Sequence, residues 1–279
     1  MTRLLIFIFL SFVIFSSWGA NKPQRIASMS LCSDELVLLL SDYSNIVSLS
    51  YLTKDPRYSS ISTDNNVDLT EIYLNQGQAE EIISLEPDLV LSSRFSANTA
   101  INLLQSNNYP VTTLGFPTTL DQTFQQIKEV ATLLHEKEQG NMLIQKIQNR
   151  IGAIQSSLVA SQDLTAVFYA DNGFSFGANT LRHDFLNSIG IKNLAAEQGI
   201  IGSGKLSIEL LISEQPDFLL IDQAILHNEK LAQPLLQHPI LKQYFPAEKI
   251  IVLPNSLFQC AGPGLIEAYE IMALALDKI

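Results

Sequence analysis

Two twelve-residue stretches of this chain align without a gap. Residues 80–91 read EEIISLEPDLVL and residues 209–220 read ELLISEQPDFLL, with identity at Glu80/Glu209, Ile83/Ile212, Ser84/Ser213, Pro87/Pro216, Asp88/Asp217 and Leu91/Leu220. Each copy is a short helical pattern stopped by a proline, which has no backbone donor to continue a helix, and followed by a buried apolar strand. One local solution reached twice would also give this match, but the copies stand at corresponding points of two alternating series. Ahead of the first copy, RIASMS (25–30) and IVSLS (46–50) read as strands around a helix opening near Ser33-Asp34-Glu35, residue types that favour helix N-termini. VTTL from Val111 is a further strand. In the second half TAVFYA (165–170), LRHDFLNSIG (181–190), DFLLID (217–222) and IIVL from Ile250 resume the strand–helix alternation. Such alternation builds a parallel or mixed sheet covered by helices.

The expectation is therefore an α/β protein with two α/β lobes, 20–117 and 161–279. The stretch between them, 118–160, is the most helical of the chain. Thr118 or Thr119 can cap it, Phe124, Ile127, Ala131 and Leu134 mark one face, and Leu143, Ile147, Ile151, Ile154 and Leu158 continue it at helical spacing, with Gly140 as a point of break or bend. A long backbone helix in place of a Gly/Ser/Pro-rich hinge predicts lobes that move little. Ligands of open α/β sheets sit beyond the carboxyl ends of the strands, so the ligand cleft is expected between the lobes.

The N-terminus adds a compartment. Arg3 precedes an apolar run from Leu4 to Phe15, and Ser17-Trp18-Gly19 supplies a small-x-small cleavage site, so residues 1–19 read as a cleavable signal peptide. The run falls short of the roughly 20 residues that span a bilayer. A soluble periplasmic monomer is the expectation. Lys and Arg total 17 against 28 for Asp and Glu, which argues against a nucleic-acid partner, since such proteins need a basic surface to displace counterions. The two cysteines rule out a disulfide-dense scaffold.

Several chemical motifs are decoys by this reading. Gly173-Phe174-Ser175-Phe176-Gly177 matches GxSxG, with Asp222 and His238 in triad order. An exported serine hydrolase using Ser175 is the alternative from a different functional class. The motif is set two residues beyond its strand, however, and the next helix starts only after Asn179, unlike a nucleophile elbow. Residues 199–205 resemble a phosphate loop but carry Leu206 where Ser or Thr would bind magnesium. His135, His183, His227 and His238 form no close pair, so no metal site and no resident cofactor are expected. Cys32, after the first strand, and Cys260, after the last, both fall at strand carboxyl ends; they make either a disulfide or two thiol contacts to a soft metal centre or ligand. Tyr51, Phe95, Phe116, Tyr169, Phe174 and Phe258, with Arg94, stand at other strand ends and suit a large, flat, partly apolar ligand.

RIASMSLCSDELVLLL, IVSLSYLTKDP, AEEIISLEPDLVL, the long helix and then LSIELLISEQPDFLLI, in that order, resemble the class III periplasmic substrate-binding proteins of ABC importers for cobalamin, haem and ferric siderophores. The likeness covers nearly all the chain after the signal and is greatest to the cobalamin-binding members. It implies a non-enzymatic protein that captures a metal chelate, a corrinoid first, with haem or a ferric siderophore as alternatives. It also implies that Glu80 and Glu209 dock onto a permease in the inner membrane, and that Tyr51 and Arg94 belong to the cleft. Two departures bear on the ligand. No tryptophan follows Trp18, where the cobalamin binders use cleft tryptophans, and Cys32 and Cys260 stand at opposite ends of the chain rather than within the second lobe. Few arginines (Arg57, Arg94, Arg182) are placed for a strongly anionic siderophore. For haem, Tyr51 or Tyr169 would be the axial ligand.

Overall fold

The computed structural model describes residues 21–61, 68–158, 163–170, 173–222 and 239–278. The signal read at 1–19 lies outside the described residues, as do His227 and His238.

The first lobe runs β1 (Ile26–Ser28), α1 (Leu31–Leu40), β2 (Ile46–Ser50), β3 (Tyr73–Asn75), α2 (Ala79–Ile83), β4 (Leu89–Ser93), α3 (Asn98–Ser106) and β5 (Val111–Leu114). Its five strands form one parallel sheet in the order β3-β2-β1-β4-β5. From β1 the chain steps outward through β2 and β3, then returns to β4 on the other side. The order thus reverses between β1 and β4, and a crevice opens at the carboxyl ends where it does.

The helix α1 begins earlier than its residue types suggest. Ser30 is its N-terminal boundary, and Asp34 and Glu35, read as a helix start, are instead buried at 0% and 3% exposure. The linking stretch holds two helices rather than one, α4 (Leu120–Leu133) and α5 (Lys137–Ser157). Thr119 caps α4 by accepting from the Gln122 N–H. The break falls at His135, not Gly140. His135 adopts a left-handed φ of 59°, its N–H donates to Thr132 O, and the Glu136 N–H donates to Ala131 O at 2.7 Å, the paired bonds of a Schellman stop. Gly140 serves packing instead: a Cβ there would lie 2.5 Å from Ala131 Cβ, so only glycine lets α5 approach α4 this closely. The 21 residues of α5 span roughly 30 Å.

The second lobe runs β6 (Thr165–Phe168), β7 (Phe174–Phe176), α6 (Leu181–Ser188), β8 (Lys192–Asn193), α7 (Leu194–Glu197), β9 (Ser203–Lys205), α8 (Ile208–Glu214), β10 (Phe218–Ile221), α9 (Pro239–Tyr244), β11 (Ile250–Val252), α10 (Ser256–Gln259) and α11 (Gly264–Leu276). Four strands make a parallel sheet, β11-β10-β6-β8, while β7 and β9 pair antiparallel as a separate two-stranded sheet.

The sequence repeat is a structural repeat. Glu86, three residues beyond α2, and Gln215, the C-cap of α8, are equivalent in the alignment and both take φ 46°. Asp88 then accepts from the Gln24 and Arg25 N–H groups (2.8 and 2.9 Å) ahead of β1, and Asp217 accepts from the Thr165 N–H (2.8 Å) at the start of β6. Each aspartate ties its own strand to the strand beside it, so β1–β4 and β6–β10 are matching pairs. One apolar core runs through both lobes, joining Leu36, Leu49 and Leu91 to Ile127, Ile147 and Ile151 of the linking helices and to Phe168, Phe185 and Met272 beyond them. The second lobe centres on Phe168, Phe185, Phe258 and Tyr269, packed edge to face with centroids 4.8–6.4 Å apart.

Candidate functional site

A cavity of about 520 Å³ opens at the reversal of the first sheet, within the usual range for small-molecule sites. Its walls are the segments just beyond the strands: residues 29–33 after β1, Tyr51, Arg57 and Tyr58 after β2, Phe95 and Ser96 after β4, and Gly115, Phe116 and Pro117 after β5. Gln126 of α4 adds to it, and Gln259 and Ala261 close it from the second lobe.

Local hydrogen bonds explain why the aromatic rings stand outward. Asp34 accepts from the Ser50 N–H (3.1 Å) and from the Thr53 hydroxyl (2.7 Å), which pins the tight turn carrying Tyr51. Burial pushes the Asp34 carboxyl up to about 8, against the pull of the bonds it accepts from Ser28, Thr53 and Ser50. Glu35, likewise raised by burial to about 7, accepts from the Ser60 N–H at 2.9 Å and holds the far end of the same loop. After β4, the Ser93 hydroxyl accepts from the Phe95 N–H and Ser96 Oγ from the Ser93 N–H. That turn leaves Phe95 73% exposed, edge to face with Phe116 at 5.5 Å. The Gln126 amide donates to Gly115 O at 2.8 Å and steadies the turn beneath Phe116.

Among the described lining residues the charge cancels. Asp55 and Arg57 are the ionised side chains among the lining residues, and they pair with one another: Asp55 accepts from Arg57 Nε at 2.9 Å and Nη2 at 2.5 Å. The guanidinium holds the Asp55 carboxyl below its ordinary range, and the carboxylate raises the guanidinium. The rest of the lining is aromatic, aliphatic, hydroxyl and amide.

Sequence-based expectations divide here. Tyr51, Phe95, Phe116 and Cys32 line the cavity. Arg94 is exposed, 5.7 Å from the Phe95 ring centroid, on the rim rather than in the wall. Cys32 and Cys260 are joined by a disulfide, so the alternative of two thiols offered to a soft metal is removed; Cys32 is part of the wall, while Cys260 is 4% exposed. Two cleft assignments fail. Phe258 is 2% exposed and packs on Phe168 and Phe185, and Tyr169 is 4% exposed with its hydroxyl donating to Leu206 O at 3.4 Å. Burial raises the Tyr169 phenol, with the Glu209 charge adding. Phe174 is 44% exposed on β7, paired with Lys205, and is not among the lining residues.

Ser175 is no nucleophile. It lies mid-strand in β7, 0% exposed, with its hydroxyl donating to Phe168 O at 2.7 Å. Residues 199–205 follow a helix and lead into β9 rather than leaving a strand, so no phosphate cradle forms. His135 sits in the turn between α4 and α5, and His183 Nε2 pairs with the Asn187 amide at 2.8 Å on α6. Glu80 and Glu209 are both exposed in the first turns of α2 and α8, at equivalent places in the two lobes. Neither is among the lining residues of the cavity.

Gln126, Tyr58 and Gln259 were not singled out by sequence reasoning, and Asp34 and Glu35 were read only as a helix start. They come from a loop, from within α1 and α4, and from the end of α10, and only the topology brings them to one edge.

Two α/β lobes sharing a core, with an aromatic cavity at the strand ends between them, define a two-lobed binding protein. The model of the periplasmic binding protein family matches residues 26–254, and the chain belongs to that family. It is 21% identical over 204 residues to a cobalamin-binding protein of Halobacterium salinarum, an alignment covering 71% of this chain and 53% of that one. The chain thus spans about half the length of the curated relatives it matches. Among solved structures, the periplasmic haem-binding protein of Roseiflexus superposes with a TM-score of 0.75 at 24% identity, over 91% of this chain and 98% of that one. The periplasmic vitamin B12 binding protein of Vibrio cholerae superposes with a TM-score of 0.70 at 15% identity, over 92% and 98%. These likenesses show the fold, which proteins named for different ligands share.

Proposed function

We propose that this protein is the ligand-capturing component of an ABC importer, non-enzymatic and acting in the periplasm, and that its ligand is a flat metal chelate without strong net charge, a corrinoid. The observation that carries the reading is the cavity wall: exposed Tyr51, Phe95 and Phe116 at its mouth, and, among the described lining residues, one cation already paired to Asp55. Aromatic faces reward a flat ring system, while an anionic chelate entering such a wall finds no unpaired charge to offset its lost hydration. Haem is the second reading, favoured by the exposed Tyr51 phenol as a candidate axial ligand. Glu80 and Glu209, twin carboxylates on twin lobes, would dock onto basic residues of a two-fold permease.

Calorimetric titration of the purified protein with cyanocobalamin, haemin and ferrioxamine B tests this. The expected result is one-to-one binding of cyanocobalamin, tighter than of the other two. Tightest binding of haemin, whose two propionates make it anionic, would overturn the argument from charge, and binding of ferrioxamine B alone, a cationic chelate without a flat ring system, would overturn the argument from the aromatic wall. Alanine at both Glu80 and Glu209 is expected to leave chelate binding intact and to abolish uptake with the cognate permease.

A further inference from the structure

Among the described residues, the second lobe contributes Gln259 and Ala261 to the cavity, and Gln259 is the polar side chain of the two. That amide is held in a chain of hydrogen bonds with a fixed direction. Arg182 Nη2 donates to Asn255 Oδ1, and Asn255 Nδ2 donates to Gln259 Oε1 at 3.4 Å. An amide alone is ambiguous, since its oxygen and nitrogen can exchange places. Here the ambiguity is lifted at the head of the chain, because a guanidinium has only donors. Asn255 must turn its oxygen toward Arg182, so its nitrogen faces Gln259. Gln259 must then answer with its oxygen and keep its NH2 group for the cavity.

The head of the chain is built to persist. The Arg182 guanidinium lies 4.0 Å from the ring centroid of Phe176, 5.1 Å from that of Phe258 and 5.6 Å from that of Phe168. Burial among these rings lowers its pKa to about 10 while Asp222 raises it, so it stays charged at neutral pH. Asp222 also accepts from the Asn255 N–H at 3.1 Å and fixes the backbone of the middle link. A charged donor strengthens the first bond, and polarisation along the chain strengthens the second.

We propose that Gln259 is a specificity-determining residue that donates to an acceptor oxygen on the rim of the bound chelate, with Arg182 and Asn255 as positioning residues that set its direction. The class of group recognised is an amide carbonyl or a carboxylate, presented opposite the aromatic wall of the first lobe. This rests on the chelate-capture reading above.

The test is a titration series with cyanocobalamin, whose rim carries amide carbonyls. Gln259→Leu should weaken binding about five- to tenfold, the range of one neutral hydrogen bond. Gln259→Glu, which sets a charged acceptor against the ligand's acceptor, should weaken it further despite its equal size. Arg182→Met should shrink the gap between glutamine and glutamate at position 259, whereas Arg182→Lys, still a pure donor, should restore it. A structural role for Arg182 would lower stability and leave that gap unchanged. Wild-type-like affinity in Gln259→Glu would overturn the proposal. In the ligand-free protein, Arg182→Met should also move the side-chain amide NMR resonances of Asn255 and Gln259, and unmoved Gln259 resonances would sink the relay whatever the protein binds. Wild-type protein that binds none of cyanocobalamin, haemin and ferrioxamine B would instead sink chelate capture, and the ligand half of this proposal with it.

Discussion

Removing the bridge between Cys32 and Cys260 should cost the protein more than any single side-chain contact. The two positions are 228 residues apart, so the bridge closes nearly the whole described chain into a loop. The chain-entropy relation for a loop of that size gives about 5 kcal/mol, an upper figure since measured values scatter from about 0 to 5. It also joins the two lobes, because Cys32 follows β1 and Cys260 precedes α11. The neighbourhood holds its shape by other contacts. A Cβ at Gly264 would lie 3.0 Å from Ser60 Cβ, and one at Gly262 would lie 4.0 Å from Glu35 Oε2, so residues 260–264 already lie against the first lobe. Reduction should therefore weaken the fold without reshaping it. With a urea slope of about 3 kcal/mol/M, the midpoint should fall by up to roughly 1.7 M on reduction, with the slope rising because the reduced unfolded chain is less compact. Far-UV circular dichroism is the suitable probe, since the single tryptophan is Trp18, outside the described residues. Thiol titration should find none before reduction and two after. Equal midpoints in oxidised and fully reduced protein would refute the loop-closure reasoning, and two free thiols in the untreated protein would refute the bridge itself.

The buried carboxylates make stability depend on pH in a stated direction. Asp34 is raised from 3.8 to about 8 and Glu35 from 4.5 to about 7, so both hold their protons in the folded state where the unfolded chain has lost them. The stability this brings is fully present below about pH 4 and is lost as pH rises toward 8. Asp34→Asn should accordingly gain on the wild type between pH 5 and pH 9, by a few kcal/mol in urea midpoints, and a constant difference would contradict the assignment. Gly140→Ala should destabilise by about 1–3 kcal/mol through overpacking on Ala131, while Gly152→Ala in the same helix, with nothing within 4 Å of the new methyl, should stabilise by about 0.5–1 kcal/mol; thermal melts of the pair check both signs. Phe95→Ala should lower chelate affinity and leave the melting temperature unmoved, whereas Phe258→Ala should cost about 3–5 kcal/mol of stability. Phe258→Ala protein as stable as wild type would return Phe258 to the cleft.

The α/β alternation, the twin lobes and strands β1, β2, β4, β5, β6, β10 and β11 were readable because apolar runs and proline stops are local signals, whereas the short β3, β7, β8 and β9 gave no such run. The repeat was readable too, and its physical reason appears only in the fold: Asp88 and Asp217 are retained pairs because each satisfies the backbone N–H groups opening a neighbouring strand. The single linking helix was misread for the converse reason. His135 gives no warning of a left-handed turn, and Gly140 looks like a breaker when its missing side chain is what the packing of α4 on α5 requires. Asp34 and Glu35 resembled a helix start because composition cannot say which way a carboxylate points.

The cleft residues divide by lobe, and the cause is a roof. In the first lobe the residues beyond the strands are free to stand outward, and Tyr51, Phe95 and Phe116 do. The same rule applied to β6 names Tyr169, but successive residues of a strand point to opposite faces. Phe168 enters the core shared with the linking helices, Tyr169 enters a second apolar cluster with Leu206 and Leu211, and both faces are covered. The antiparallel pair β7–β9 and the helix α10 lie over that edge: Ser175 of β7 bonds Phe168 O, and Phe258 of α10 stacks on Phe168. Two lobes alike in their opening helix–Pro–Asp–strand units thus differ, among the described residues, at the strand ends: one is open and aromatic, the other covered except at Gln259 and Ala261. The repeat accounts for the symmetric placement of Glu80 and Glu209 on the outside, while β7 and β9 break that symmetry within, so that among the described residues the first lobe supplies most of the cavity wall.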